Sequence, residues 1–173
     1  CTGLGTPNGK VLLAALLADT ERAPGARGPS DVRIDWAWKP GLVREIAEGR
    51  DGSLWALGTV PVAGQWPLFR TTPFGWAPVP GAFGCALAVG LDGKPWVASN
   101  TGVIRFFDGT SWHVHPGRAS SLAMAADGAL WIIDYDKTDG NGTVKRWTDG
   151  AFVDSDIAAS RIKVDSIGVP LAI

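Results

Sequence analysis

The chain has 173 residues, of which 46% are apolar, with 23 Gly, 12 Pro, nine Trp and a formal net charge of −1. This composition fits one globular β-rich domain with many turns and enough length for a core. The near-zero charge lacks the basic field that nucleic-acid or anionic-lipid binding requires. Cys1 and Cys85 are the only cysteines, too few for a disulfide scaffold and without Cys-x-x-Cys spacing for zinc, so they leave the redox compartment open.

Residues 1–30 stand apart from the rest. Gly3-Leu4-Gly5-Thr6-Pro7-Asn8-Gly9-Lys10 faintly imitates a phosphate loop, but no strand precedes it and Val11 stands where Ser or Thr is needed. The run VLLAALLA at 11–18 reads either as the apolar centre of a secretory signal or as a short docking helix, and it is too short to span a bilayer. The chain does not begin with Met. Cys1 as a processed lipoprotein terminus is one reading of this, and a fragment of a longer chain is the favoured one. The segment APGARGPS at 23–30 reads as a linker.

From residue 31 onward the chain repeats. VRIDWAWKPG at 32–41 reads as the outer strand of a blade whose other strands are absent. Three four-strand units follow at about 43–81, 85–117 and 121–154, and the strand pair RIKVD and VPLAI lies within 161–173. In the middle unit, strands ALAVG, KPWVAS, VIRFFD and SWHVHPG are separated by LDG, NTG and DGT, an antiparallel meander.

Two anchors carry the period. Asp-Gly-x-x-Trp begins at Asp51, Asp92 and Asp127 with a worn copy at Asp165, steps of 41, 35 and 38 residues. Trp followed by Pro-Gly occurs at Trp38 with Pro40-Gly41, Trp76 with Pro80-Gly81 and Trp112 with Pro116-Gly117, and Phe152 holds the next place. A period near forty with four strands per unit predicts an all-β fold, a β-propeller of about three full blades plus parts of a fourth. The repeating Trp residues are expected between blades, and the Asp-Gly pairs in two-residue hairpin turns. Three blades do not close a ring. Either the 32–41 strand completes the sheet of 161–173 to give a four-bladed ring, or blades are missing or come from a second chain in a dimer. A truncated larger propeller is the favoured expectation. The loop between second and third strands is long in the first and third blades and short in the second, which suggests duplication of a blade pair.

Asp-Gly-x-x-Trp alternating with Trp-x-x-Val-Pro-Gly, together with RIKVDSIGVPLAI, resembles the tectonin-type β-propeller repeat over about residues 35–173. Leu171 and Phe152 depart from that pattern, where the family usually has Trp. The resemblance implies a noncatalytic, lectin-like propeller that recognises surface glycans, at the cell surface or secreted, with no cofactor. A scaffold that binds a protein partner without sugar affinity is the alternative.

Sugar recognition needs an aromatic face with fixed polar groups beside it. Trp66, Phe74 and Tyr135 are the aromatics outside the anchors that lie in or near loops, and Asn100, Arg105, Asp136 and Asn141 supply polar groups. The oxygen-rich loop at 134–142 is out of register for a calcium loop and has no closing Glu, so a solvated hairpin is expected there. His113 and His115 share one strand face but lack a third ligand nearby, and no metal is expected. No nucleophile elbow or Cys-His pairing is visible, so no catalytic residue and no enzyme activity are expected.

Overall fold

The computed structural model describes residues 42–135, 141–165 and 169–173. The first 41 residues, including the apolar run and the strand expected at 32–41, and the candidate Asp136 lie outside the described residues. All the regular structure described is strand.

The fold is a β-propeller of antiparallel blades. The first blade is β1 (Val43–Glu48), β2 (Leu54–Gly58), β3 (Trp66–Thr72) and β4 (Gly75–Gly84), hydrogen-bonded in that order. The second is β5 (Ala86–Val89), β6 (Pro95–Ala98), β7 (Val103–Phe107) and the first half of β8 (Trp112–Met124). The second half of β8 opens the third blade and is followed by β9 (Leu130–Asp134), β10 (Gly142–Thr148) and β11 (Ala151–Ala159). β12 (Ile162–Val164) pairs with β13 (Pro170–Ala172) as two strands of a fourth.

The outer strand of each blade runs straight into the inner strand of the next, and β8 does so without interruption. The second and third blades therefore join into one seven-stranded sheet instead of two separate meanders. This gives the Pro-Gly anchor its physical role. The ladder between β3 and β4 shifts register where Pro80-Gly81 intervenes, and that between β7 and β8 shifts at Pro116-Gly117. An extra residue on one strand bends it and re-aims it, here toward the next blade. Gly81 and Gly117 take positive φ of 70° and 87° to do so. In the third blade Asp156-Ile157 stand in place of Pro-Gly, and the ladder still shifts between Thr143 and Lys145. There Ser155 Oγ holds the bulge, donating to the Val144 carbonyl at 2.9 Å and accepting from the Ile157 N–H at 3.3 Å.

The Asp-Gly turns differ from the expected two-residue type. Gly52 N–H donates to the Gly49 carbonyl and Gly49 N–H to that of Ser53, with only the glycine at positive φ, and the same pattern recurs at residues 90–94 and 125–129. These are type I turns closed by a glycine bulge. Asp at the third turn position needs no left-handed backbone; its carboxylate accepts the N–H two residues on at Ser53, Lys94 and Ala129. Asp149-Gly150, with φ of 51° and 85°, is the two-residue turn of the expected kind.

Each blade alone is too thin to bury both faces, so the core lies between blades. In β5, alternate side chains point to opposite neighbours. Leu87 and Val89 pack with Trp55, Leu57, Leu68 and Val97, while Ala86 and Ala88 pack with Ile104, Leu122, Leu130 and Ile132. Ala123, Ile133, Val144, Ala159 and Ile162 form the next layer. All four β5 residues are buried, the pattern of an inner strand covered on both faces.

Candidate functional site

The blades differ most at the junctions between their Asp-Gly turns. Between blades one and two the junction is closed by side chains that both reach one carbonyl. Ser53 Oγ donates to the Gly93 carbonyl at 3.1 Å, and the buried Trp55 Nε1 donates to the same oxygen at 2.9 Å. Arg70, directly across the ladder from Trp55, lays its guanidinium 5.3 Å from the indole and favours the Asp51 carboxylate electrostatically. The third blade repeats this, with Arg146 across from Trp131, 5.7 Å from its ring and bonded to Asp127 Oδ2 at 2.8 Å.

The second blade departs from the first at each of these positions, and from the third at the arginine. Lys94 replaces the serine, Leu91 stands where Arg50 does, and Phe106 occupies the arginine position across from Trp96. Phe106 stacks on Trp96 with ring centroids 4.7 Å apart, and the Trp96 indole N–H donates to no acceptor among the described residues. The junction between blades two and three is consequently open. It is a cleft of 360 Å³ walled by Trp96, Phe106 and Phe107, closed on the far side by Met124 and Gly128, with Asp92, Lys94 and Asp108 among its lining residues.

The polar groups of the cleft are fixed by local structure. Asp108 Oδ1 caps its own hairpin, accepting from Thr110 N–H and Ser111 N–H at 2.7 Å each, and its Oδ2 lies 2.5 Å from His113 Nε2. These donors, led by the Ser111 and Thr110 amides, hold its carboxyl well below the usual carboxylate range. His113 is placed by the ladder directly across from Phe106 and stacks on it at 5.2 Å. Lys94 Nζ pairs with Asp92 Oδ2 at 3.3 Å. Two positions along β8, His115 sits half-buried among Trp96, Trp147 and Phe152, and its Nδ1 faces the Pro116 carbonyl at 2.9 Å. Burial pushes its pKa down. The two histidines share a face as their spacing requires, and among the described residues no group of three metal-binding side chains forms.

The residues selected from sequence lie elsewhere. Asn100 and Tyr135 do come together, at the opposite end of the blades, where they brace the long loops. Asn100 Nδ2 donates to the Ala63 carbonyl at 3.2 Å, and Tyr135 Oη donates to the Asn100 carbonyl at 2.6 Å. Arg118 lies over the Tyr135 ring at 4.8 Å and bonds the Thr101 carbonyl. Trp66 packs into the core between blades one and two beneath Arg44, which sits 3.7 Å from its centroid. Arg105 reaches the Phe83 carbonyl at 3.3 Å. Phe74 is 99% exposed at a hairpin tip of the first blade, and Asn141 is exposed ahead of β10. Asp134, counted in the calcium-like loop, is paired with Lys145 at 2.7 Å. Sequence reasoning passed over Asp92, Lys94, Phe106 and Asp108 because each reads as turn or packing chemistry in isolation. The signal was the residue across from each anchor Trp, which runs Arg70, Phe106, Arg146.

No protein-family model matches the chain, and no curated protein matches it. Among solved structures it is similar to a gluconolactonase from Xanthomonas campestris, described as important in glucose secondary metabolic pathways. Identity is 18% and the TM-score 0.48, with 76% of this chain and 53% of that chain covered. The chain thus spans about half the length of that enzyme. The expectation of a noncatalytic lectin-like protein, with a protein-binding scaffold as its alternative, finds no support in this comparison: the solved structure is that of an enzyme.

Proposed function

We propose that the cleft between blades two and three is an acid–base catalytic site for a small ester-type substrate. One observation carries this reading: Asp108, which lines the cleft, pairs with His113, Oδ2 to Nε2 at 2.5 Å. A carboxylate fixed by two backbone amides orients the imidazole and stabilises the imidazolium that forms when His113 takes a proton. His113 Nδ1 makes no hydrogen bond among the described residues, and 48% of the side chain is in solvent. It is the nitrogen available to take a proton from water as that water adds to a carbonyl carbon, and to return it to the departing alkoxide oxygen as the ester C–O bond breaks. Trp96, Phe106 and Phe107 hold the apolar side of the substrate, and the Lys94 ammonium in the cleft lining favours the negative charge developing on the carbonyl oxygen.

The test is hydrolysis of a panel of chromogenic esters and simple lactones by the purified chain. Turnover above buffer is expected for at least one, falling about 100-fold or more in His113→Ala and less in Asp108→Asn. Equal rates for the wild type and His113→Ala, both folded, would overturn the assignment.

A further inference from the structure

The inter-blade grooves share one architecture, and the second blade omits the part that fills it. In blades one and three an arginine lies across the ladder from the anchor Trp, over its ring and beside the turn Asp: Arg70 with Trp55 and Asp51, Arg146 with Trp131 and Asp127. Cross-strand partners project from the same face, so these guanidinium groups lie on the face that their Trp turns toward the following blade. In the second blade the Asp and Trp persist as Asp92 and Trp96, Phe106 replaces the arginine, and a 360 Å³ cleft opens at that place.

From this we infer that the cleft between blades two and three binds a guanidinium group supplied by a ligand, such as an arginine side chain, in the place that Arg70 and Arg146 fill from within the chain. The lining is complementary to such a group. The Trp96–Phe106 stack provides an aromatic wall for its planar face, and Asp92 and Asp108 provide carboxylate oxygens for its N–H donors. Asp108 stays ionised over the whole neutral range. Asp92 Oδ1 accepts the Lys94 backbone N–H at 3.2 Å, and its Oδ2 pairs with Lys94 Nζ at 3.3 Å, the Asp92 and Lys94 side chains being 57% and 37% exposed. Such exposed pairs are weak and give way to a two-pronged guanidinium contact. The Trp96 indole N–H is left for a carbonyl of the same ligand. Met124 and Gly128 of the third blade close the far wall, so the site needs both blades.

This assignment rests on the cleft being the ligand site, as proposed above, and names the class of substrate side chain it takes; it does not depend on the proton chemistry given to His113. The test is titration of the full chain with N-acetyl-arginine amide, followed on the tryptophan indole signals by NMR, with the citrulline and norleucine amides as neutral controls. Saturable binding on the order of 1 mM is expected for the arginine compound, at least 10-fold weaker for citrulline, with the Trp96 signal moving most. Asp92→Asn should weaken it several-fold. Phe106→Arg restores the arrangement of the neighbouring blades, so it should keep the fold, checked by its melt, and abolish binding. Binding of citrulline as tight as arginine, or no saturable shift of Trp96, would overturn the inference. Arginine binding in a chain that cleaves no ester supports it and counts against the hydrolytic reading alone; ester cleavage without arginine binding overturns it alone.

Discussion

At the scale of single residues, His115 shows how a polar group can be tolerated between blades. Its ring contacts Trp147 at 4.4 Å and Trp96 at 5.2 Å, both edge-on, and desolvation lowers its pKa from the ordinary 6.5. The unfolded chain therefore binds the proton more readily than the folded one. The neutral ring's contribution is complete above about pH 6.5 and is lost as pH falls from there toward the depressed folded value. Thermal melts at pH 7.5 and 5.5 should show a drop in the wild type that is smaller in His115→Phe, which keeps the aromatic packing. An equal drop in both would place the titration elsewhere. Asp51, Asp108 and Asp127, all depressed by turn amides or hydroxyls, act in a lower window, stabilising above the ordinary carboxylate value of 3.8 and failing below it.

At the scale of elements, the bends at the Pro-Gly anchors decide how one blade hands the chain to the next, and they are not equally demanding. Gly81 and Gly117 both take positive φ, but a Cβ at Gly81 would meet open space whereas one at Gly117 would lie 2.5 Å from Phe152. Gly81→Ala should cost about 1–2 kcal/mol, the backbone term alone. Gly117→Ala must also displace a ring packed against Trp147 and should cost at least about 2 kcal/mol more by overpacking. Urea unfolding of the two variants compares them directly; equal losses would mean that Phe152 moves freely. Much of this level was legible in the sequence. The four-strand unit, its period and the inter-blade Trp residues follow from the two anchors, because turn chemistry and aromatic spacing are local properties. The turn type is not legible there, since Asp-Gly serves both a two-residue turn and a type I turn with a glycine bulge, and only the ladder register separates them. The merging of blades through β8 was not legible either, as Pro-Gly reads as an end and acts as a bend.

For the described part of the molecule, the distribution of closed and open junctions matters more than any one motif. Arg50 Nη2 donates to the Ala126 carbonyl at 2.7 Å, joining the turns of blades one and three, and Lys163 Nζ pairs with Glu45 Oε1 at 3.0 Å between β12 and β1. Unlike the closed junction between blades one and two, the junction between blades two and three stands open. The candidate site was not legible because it is a difference between repeats: Phe106 where Arg70 and Arg146 stand, Lys94 where Ser53 stands, Leu91 where Arg50 stands. Trp66 and Tyr135, aromatics outside the anchors, serve packing and the bracing of loops instead.

Hydrogen exchange of the tryptophan indole N–H groups tests most directly whether that junction is open. Trp55, whose indole is buried and bonded to Gly93 at 2.9 Å, should exchange slowly, and Trp96 fast. Equal, strong protection of both would mean that the junction between blades two and three is closed in solution and that the cleft is not a site.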